Sequence, residues 1–153
     1  MIDILMYVYE NYMENVPRPK IDGDKLFFEL RSHGYPDTDI KEAIRWLNNL
    51  SHSKKHLPIV IREHKTNRTF APWERQHLNA ECRGLINFLE QADILDGQTR
   101  ELVIDQALAL SQDEIDVDRL KWIILMVLMS FPDKSKSNFM REFVLLHDKK
   151  RLH

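Results

Sequence analysis

A chain of 153 residues with 43% hydrophobic side chains is long enough to bury most of its apolar surface in one compact domain or two small lobes. Its net charge of −2 gives no global attraction to nucleic acid or acidic membranes, and its single cysteine, Cys82, excludes an intramolecular disulfide and a cysteine zinc cluster. A lone thiol fits a reducing compartment, and four glycines with six prolines leave little room for flexible arms.

The opening MIDILMYVYENYMEN carries Asp3, Glu10 and Glu14 and no basic leader, so it does not read as a signal peptide. Leu5, Tyr9, Tyr12 and Val16 follow helical spacing, which predicts a first helix over about 2–13, stopped by Pro17 and Pro19. A second helix starts at Asp22 or Asp24 as N-cap, buries Leu26, Phe27 and Leu30, and ends at Gly34. A third starts at Asp37 and carries the clearest amphipathic stripe: Ile40, Ala43, Ile44, Leu47 and Leu50. Its exposed side, Lys41, Glu42, Arg45, Asn48 and Asn49, is mixed in charge.

Residues 58–73, PIVIREHKTNRTFAPW, place β-branched and aromatic residues on both sides of a polar stretch with Asn67 at its turn. They predict two short strands, about 59–63 and 68–71, joined as a hairpin. Three helices followed by a hairpin is the order of a winged helix-turn-helix module. The expected architecture is therefore mainly α: a winged-helix-like lobe over 1–73 and a lobe of about four helices over 74–153.

Beyond Pro72, which suits a first helical turn, Leu78, Cys82, Leu85 and Leu89 mark one long helix to about Gln91. Gly84 inside it costs up to ~1 kcal/mol against alanine, which points to a close approach by a neighbouring helix. Asp96-Gly97 breaks the chain, and a fifth helix carries Leu102, Val103 and Leu110. Arg100 and Glu101 at its start suit ion pairs between the C-terminal helices.

An apolar helix over about 117–131 contains LKWIILMVLMSF. It falls short of the ~18–20 apolar residues a membrane span needs. Apolar on every side, it reads first as the central core helix, with Lys121 and Arg119 at its wet end. The alternative makes Trp122, Leu125 and Met129 a protein-partner surface. A last helix over about 137–147 shows Phe139, Phe143 and Leu146 at helical spacing.

Chemistry-bearing motifs are sparse. Cys82 lies in an apolar stripe, where cysteine acts as a small hydrophobe. His52 and His56 are four apart but sit beside Lys54 and Lys55 with no third ligand near. Asp113, Glu114, Asp116 and Asp118 lack the glycine and glutamate of a calcium loop and read as helix N-terminal charge. No nucleotide-binding or hydrolase motif is present, so the expectation is no enzyme and no cofactor. Between His52 and His77 six basic residues, Lys54, Lys55, Arg62, Lys65, Arg68 and Arg75, face only Glu63 and Glu74. On a wing, Lys54, Lys55, Lys65 and Arg68 would contact nucleic-acid phosphates.

The chain resembles the Smg family, small bacterial proteins of unassigned function. The likeness rests on MIDILMYVYENY, DGDKLFFELRSHGYPDTDIKEAIRWLNNL, CRGLINFLEQADIL, TRELVIDQALAL, DRLKWIILMVL and the terminal Leu152-His153, and so covers essentially the whole chain. It implies a cytoplasmic bacterial protein with a gene near DNA-processing genes, and carries over no catalytic residue, cofactor or partner. The expected function is a non-enzymatic interaction module whose partner is nucleic acid or a protein that handles it. The other reading is a helical scaffold or homo-oligomer that recruits a protein through its apolar C-terminal surface.

Overall fold

A computed structural model describes residues 2–13, 22–55, 68–110, 114–131, 136 and 138–142, with the side chains of Met13, Lys54 and Lys55 left aside. The chain divides into two compact units, Met1–His52 and Ser53–His153.

In the first unit, α1 (Ile2–Val8) runs into a π-helical turn, Tyr9–Met13. The helix α2 (Gly23–Ser32) is capped by Asp22, whose carboxylate accepts from the Asp24 N–H at 3.0 Å. It closes in a turn where Gly34 takes φ +91°, a conformation open to glycine at little cost. The helix α3 (Asp37–Lys55) follows at once. It continues past Leu50, so His52 sits on a helix. The buried residues of the unit keep the expected stripes in part: Leu5, Tyr9, Leu26, Leu30, Ile40, Ala43 and Leu50 are buried as expected, Ile4, Val8 and Trp46 join them, and Tyr12, Phe27, Ile44 and Leu47 are only half-buried.

The second unit begins its described part with residues 68–71, then α4 (Pro72–His77), α5 (Ala80–Gln91), α6 (Gly97–Leu110) and α7 (Val117–Met129). The helices α5, α6 and α7 pack against one another. Asp96 and Thr99 cap α6 reciprocally, each backbone N–H meeting the other's side-chain oxygen at 2.8 Å. Asp116 caps α7 through the Arg119 N–H at 2.8 Å. Every residue from Leu120 to Met129 is buried, which makes α7 the core of this unit. Lys121 is buried with them rather than at a wet end, its Nζ 4.0 Å from Asp118. Helical residues recur at 138–142, where Met140 is fully buried; 143–147 of the expected last helix lie outside the described residues.

Three expectations are corrected. The described residues hold helices and no strand, so the hairpin and the winged-helix half do not stand. Residues 59–63 lie outside the described residues, but 68–71 are irregular backbone, not a strand. The reason lies in side-chain acceptors: the Arg68 N–H donates to Asn87 Oδ1 of α5 at 3.2 Å, and the Ala71 N–H donates to Glu74 Oε1 at 2.8 Å. Side chains satisfy the donors that a ladder would have used.

The single helix expected from Pro72 to Gln91 is two. Asn79 breaks it and caps α5, accepting from the Cys82 N–H at 2.9 Å. Leu78 forms an isolated parallel bridge with Ile115, and the Ile115 N–H donates to the His77 carbonyl at 2.8 Å. Finally, nothing among the described residues comes within 4 Å of a Cβ built on Gly84, so no helix approaches there.

Candidate functional site

The polar groups gather in two places. In the second unit, the segment before α4, α5 and α6 contribute a row of alternating charges. Arg68 forms a bidentate pair with Glu74, Nη1 to Oε1 and Nη2 to Oε2, both 2.9 Å. The same guanidinium reaches Glu101 of α6, Nε to Oε1 at 2.8 Å and Nη2 to Oε2 at 3.1 Å. Arg100 continues the row, 2.9 Å from Glu101 Oε1 and 2.6 Å from Glu90 Oε2 of α5. The Arg68 guanidinium also lies 4.9 Å over the Phe70 ring. Two cations thus serve three carboxylates, and Arg100 Nε is buried without an acceptor among the described residues.

Burial works against the Glu74 carboxylate, but the hydrogen bonds from Arg68 and the Ala71 N–H outweigh it and hold Glu74 below the usual carboxylate value. Arg68 loses to burial and gains more from Glu74 and Glu101, so its charge is reinforced. Asp105, one helical turn beyond Glu101, is raised by partial desolvation and by the Glu101 and Glu74 charges. These groups saturate one another. Chemically, the row is a clamp that ties the segment before α4 to α5 and α6.

In the first unit, Tyr7 and Tyr12 both donate to Glu29 of α2, one to each carboxylate oxygen. Tyr7 OH also lies 3.3 Å from His33 Nε2, with the rings 5.2 Å apart. Five residues on an α-helix would set the two phenols roughly 140° apart; the wider i→i+5 turn brings them to one side. The π turn at Tyr9–Met13 is what lets two tyrosines share one acid. Their hydrogen bonds, Tyr12 first, hold Glu29 below its ordinary value. The Glu29 bond in turn pushes Tyr7 up to about 12 and raises Tyr12.

The residues singled out from sequence are dispersed. Lys54 and Lys55 end α3 with side chains outside the description, and Lys65 is outside the described residues altogether. Arg68 is committed to Glu74 and Glu101. Trp122, Leu125 and Met129 are 7%, 1% and 8% exposed, inside the second unit. Cys82 is buried, its thiol bonded to the Ile115 carbonyl at 3.3 Å and pushed up to about 11, mainly by burial. Among the described residues no three His, Cys, Asp or Glu side chains gather to hold a metal, and no helix is long and apolar enough to cross a membrane.

Reasoning from sequence expected ion pairs at Arg100 and Glu101 but missed Glu74, Glu90 and the Tyr7–Tyr12–Glu29 clip. The spacing of Glu74 three residues beyond Ala71, at the start of a proline-led helix, was the available signal for its capping role. Among the described residues, the large apolar side chains left outside are Phe28, Trp73, Phe88 and Phe139.

The whole chain, residues 1–153, matches the model of a family described as "Protein of unknown function (DUF494)". "Protein Smg homolog" of Alkalilimnicola ehrlichii is 38% identical over 145 residues, covering 94% of this chain and 92% of that protein. "Protein Smg" of Yersinia pseudotuberculosis is 39% identical over 135 residues, 86% of each chain, and "Protein Smg" of Yersinia pestis is similar to the same extent. No solved structure matches. A match of this length and identity, spanning both units, shows that the chain belongs to the Smg family.

Proposed function

We propose that this chain is a non-enzymatic interaction module whose second unit presents Trp73 and Phe88 to a protein partner. The observation that carries the reading is their exposure, 58% and 57%, in a unit whose apolar helix is buried at every residue from Leu120 to Met129. Covering such aromatic rings contributes roughly 1.5–3 kcal/mol each to association. The charged row supports a scaffold role, because its acids and guanidiniums serve one another, and Cys82 is held as a buried thiol. Engagement through Trp122, Leu125 and Met129 would require those residues to leave the core.

The test is capture from a bacterial lysate with the full chain, with and without nuclease, beside Trp73→Ala and Phe88→Ala. A protein retained by the parent chain after nuclease and lost by both variants is expected. Capture that both variants leave unchanged removes the reading. A doubled mass in solution, abolished by the same substitutions, would identify the partner as a second copy.

Nucleic-acid contact through Lys54, Lys55 and Lys65 is the second reading. What favours it is that the Arg68–Glu74 pair cancels internally, so the stretch from His52 to His77 keeps five basic residues against one acidic. Charge reversal of the three lysines tests it. Binding unchanged across a salt series would dismiss it, since phosphate contacts weaken with salt.

A further inference from the structure

Tyr9–Met13 is wound wider than the helix it continues. Nothing in its own sequence requires this. YENYM holds no proline and no glycine, the residues that usually disturb an α ladder, and α1 enters it in regular α form from Ile2 to Val8. π-helical bonding is rare, and an unfavourable backbone persists only where its surroundings over-determine it. The hold must therefore come from side chains.

Three side-chain contacts supply it. Tyr7 donates to one oxygen of Glu29 and Tyr12 to the other, so two points on the first helix are tied to a single carboxylate on α2. At the junction, the Asn11 side-chain amide donates to the Tyr7 carbonyl at 2.9 Å. In α register the two phenols would diverge by roughly 140° and could not both reach Glu29. Protons decide how this clip can fail. A carboxylate only accepts, so both phenol protons point at Glu29, and the 3.3 Å contact between Tyr7 OH and His33 Nε2 is donated by the imidazole. Protonating Glu29 turns one of its oxygens into a donor, and the phenol that donated there is displaced.

We propose that the Glu29 anion is a latch that holds Tyr9–Met13 in π register, and that protonating it lets this turn relax to α-helix. Losing the extra width of the turn rotates Asn11 and Tyr12 by roughly 100° about the helix axis relative to the buried Ile4, Leu5 and Val8. Asn11 is exposed and Tyr12 half-buried, so the outer surface of the first helix changes with the register. The groups around the carboxyl are Tyr7 and Tyr12 from the first helix, His33 at the end of α2, and Tyr35 beside Tyr7. The Glu29 bonds raise both phenols, so they stay protonated while Glu29 titrates. The Tyr12 and Tyr7 bonds hold Glu29 below its ordinary value; the latch is closed at neutral pH and opens as pH falls through the folded value.

In π register the Met13 N–H reaches back to the Val8 carbonyl; in α register it reaches Tyr9. Scalar couplings across these hydrogen bonds, measured by NMR on the isotope-labelled full chain during an acid titration, distinguish the two, with the Glu29 carboxyl carbon followed alongside. At pH 7 the parent chain should show the Val8 coupling and pass to the Tyr9 coupling as Glu29 protonates. Glu29→Gln, whose amide pairs one acceptor with one donor as the protonated acid does, should show the Tyr9 coupling at pH 7 and no change in acid. Tyr12→Phe, which keeps the ring and the Tyr7 bond, should do the same. Circular dichroism checks that the variants stay folded; should Glu29→Gln unfold, Tyr12→Phe decides. A Val8 coupling that persists in the protonated parent, in folded Glu29→Gln or in Tyr12→Phe overturns the proposal, as does a Tyr9 coupling in the parent at pH 7. Protein capture through Trp73 and Phe88 is unaffected by any of these outcomes.

Discussion

Replacing Arg68 with alanine removes four charge-assisted hydrogen bonds at once, two to Glu74 and two to Glu101. The consequences differ for the two acids. Glu101 keeps Arg100 at 2.9 Å and is a quarter exposed, so its loss is small. Glu74 is left buried with only the Ala71 N–H, its side chain 5% exposed. Removing one partner of a buried pair costs about 3–5 kcal/mol. The Arg68 side chain is 18% exposed, so water can partly replace it, and about 3 kcal/mol is expected. At a urea slope of ~1.5 kcal/mol per molar, the midpoint falls by roughly 2 M. Arg68→Lys should recover less than half, because an ammonium cannot match two carboxylates with planar forks.

The pH dependence gives a sharper version. In the parent chain Glu74 is held below its unfolded value of ~4.3, so its contribution is present above that pH and lost as pH falls through the folded value. Without Arg68, burial governs Glu74 and raises it. The variant then gains from a protonated Glu74 at low pH and loses that gain as pH rises past ~4.3. The gap between parent and variant should therefore narrow from pH 7 to pH 4. Urea titrations at both values, followed by circular dichroism, measure it. A loss below ~1 kcal/mol at pH 7, typical of an exposed pair, or a gap that widens in acid, refutes the clamp.

Three further outcomes follow from particular contacts. Gly84→Ala should stabilise by up to ~1 kcal/mol in urea denaturation, because it sits exposed in mid-helix with open space at the Cβ position. Glu29→Gln should bring the late-titrating phenol of Tyr7 down from about 12 toward 10 in an ultraviolet pH titration, and should remove the parent chain's loss of stability as acid protonates Glu29. Cys82 should resist a thiol reagent at pH 8 in the folded chain and react fully in urea, since it is buried and its thiol is pushed up to about 11.

What was legible in the sequence was periodicity. The helices α1, α2 and α3, the Asp22 cap, the Gly34 turn and the all-round apolar α7 follow from spacing and cap chemistry within one element, and the structure keeps them, though Ile4, Val8 and Trp46 are buried where Tyr12, Ile44 and Leu47 were expected. What failed depended on partners distant in sequence. Residues 68–71 have strand-like composition, yet Asn87 and Glu74 supply their hydrogen bonds, and no local pattern announces an acceptor 19 residues away. Leu78 and Cys82 kept helical spacing across a break that exists because Ile115 docks there from 37 and 33 residues further on.

The same reasoning explains the clusters. A charge at Arg68 reads as phosphate-seeking until Glu101, 33 residues on, is brought beside it. Tyr12 reads as part of a helical stripe that leaves Tyr7 out, until the fold brings both onto one acid. A cation's availability is therefore a property of the fold, and it separates the basic residues here. Arg68 and Arg100 are consumed inside the second unit, while Lys41 and Arg45 stay on an outer face with no carboxylate partner among the described residues. Charge counted along the sequence assigns Arg68 to the basic stretch from His52 to His77; charge counted after pairing removes it.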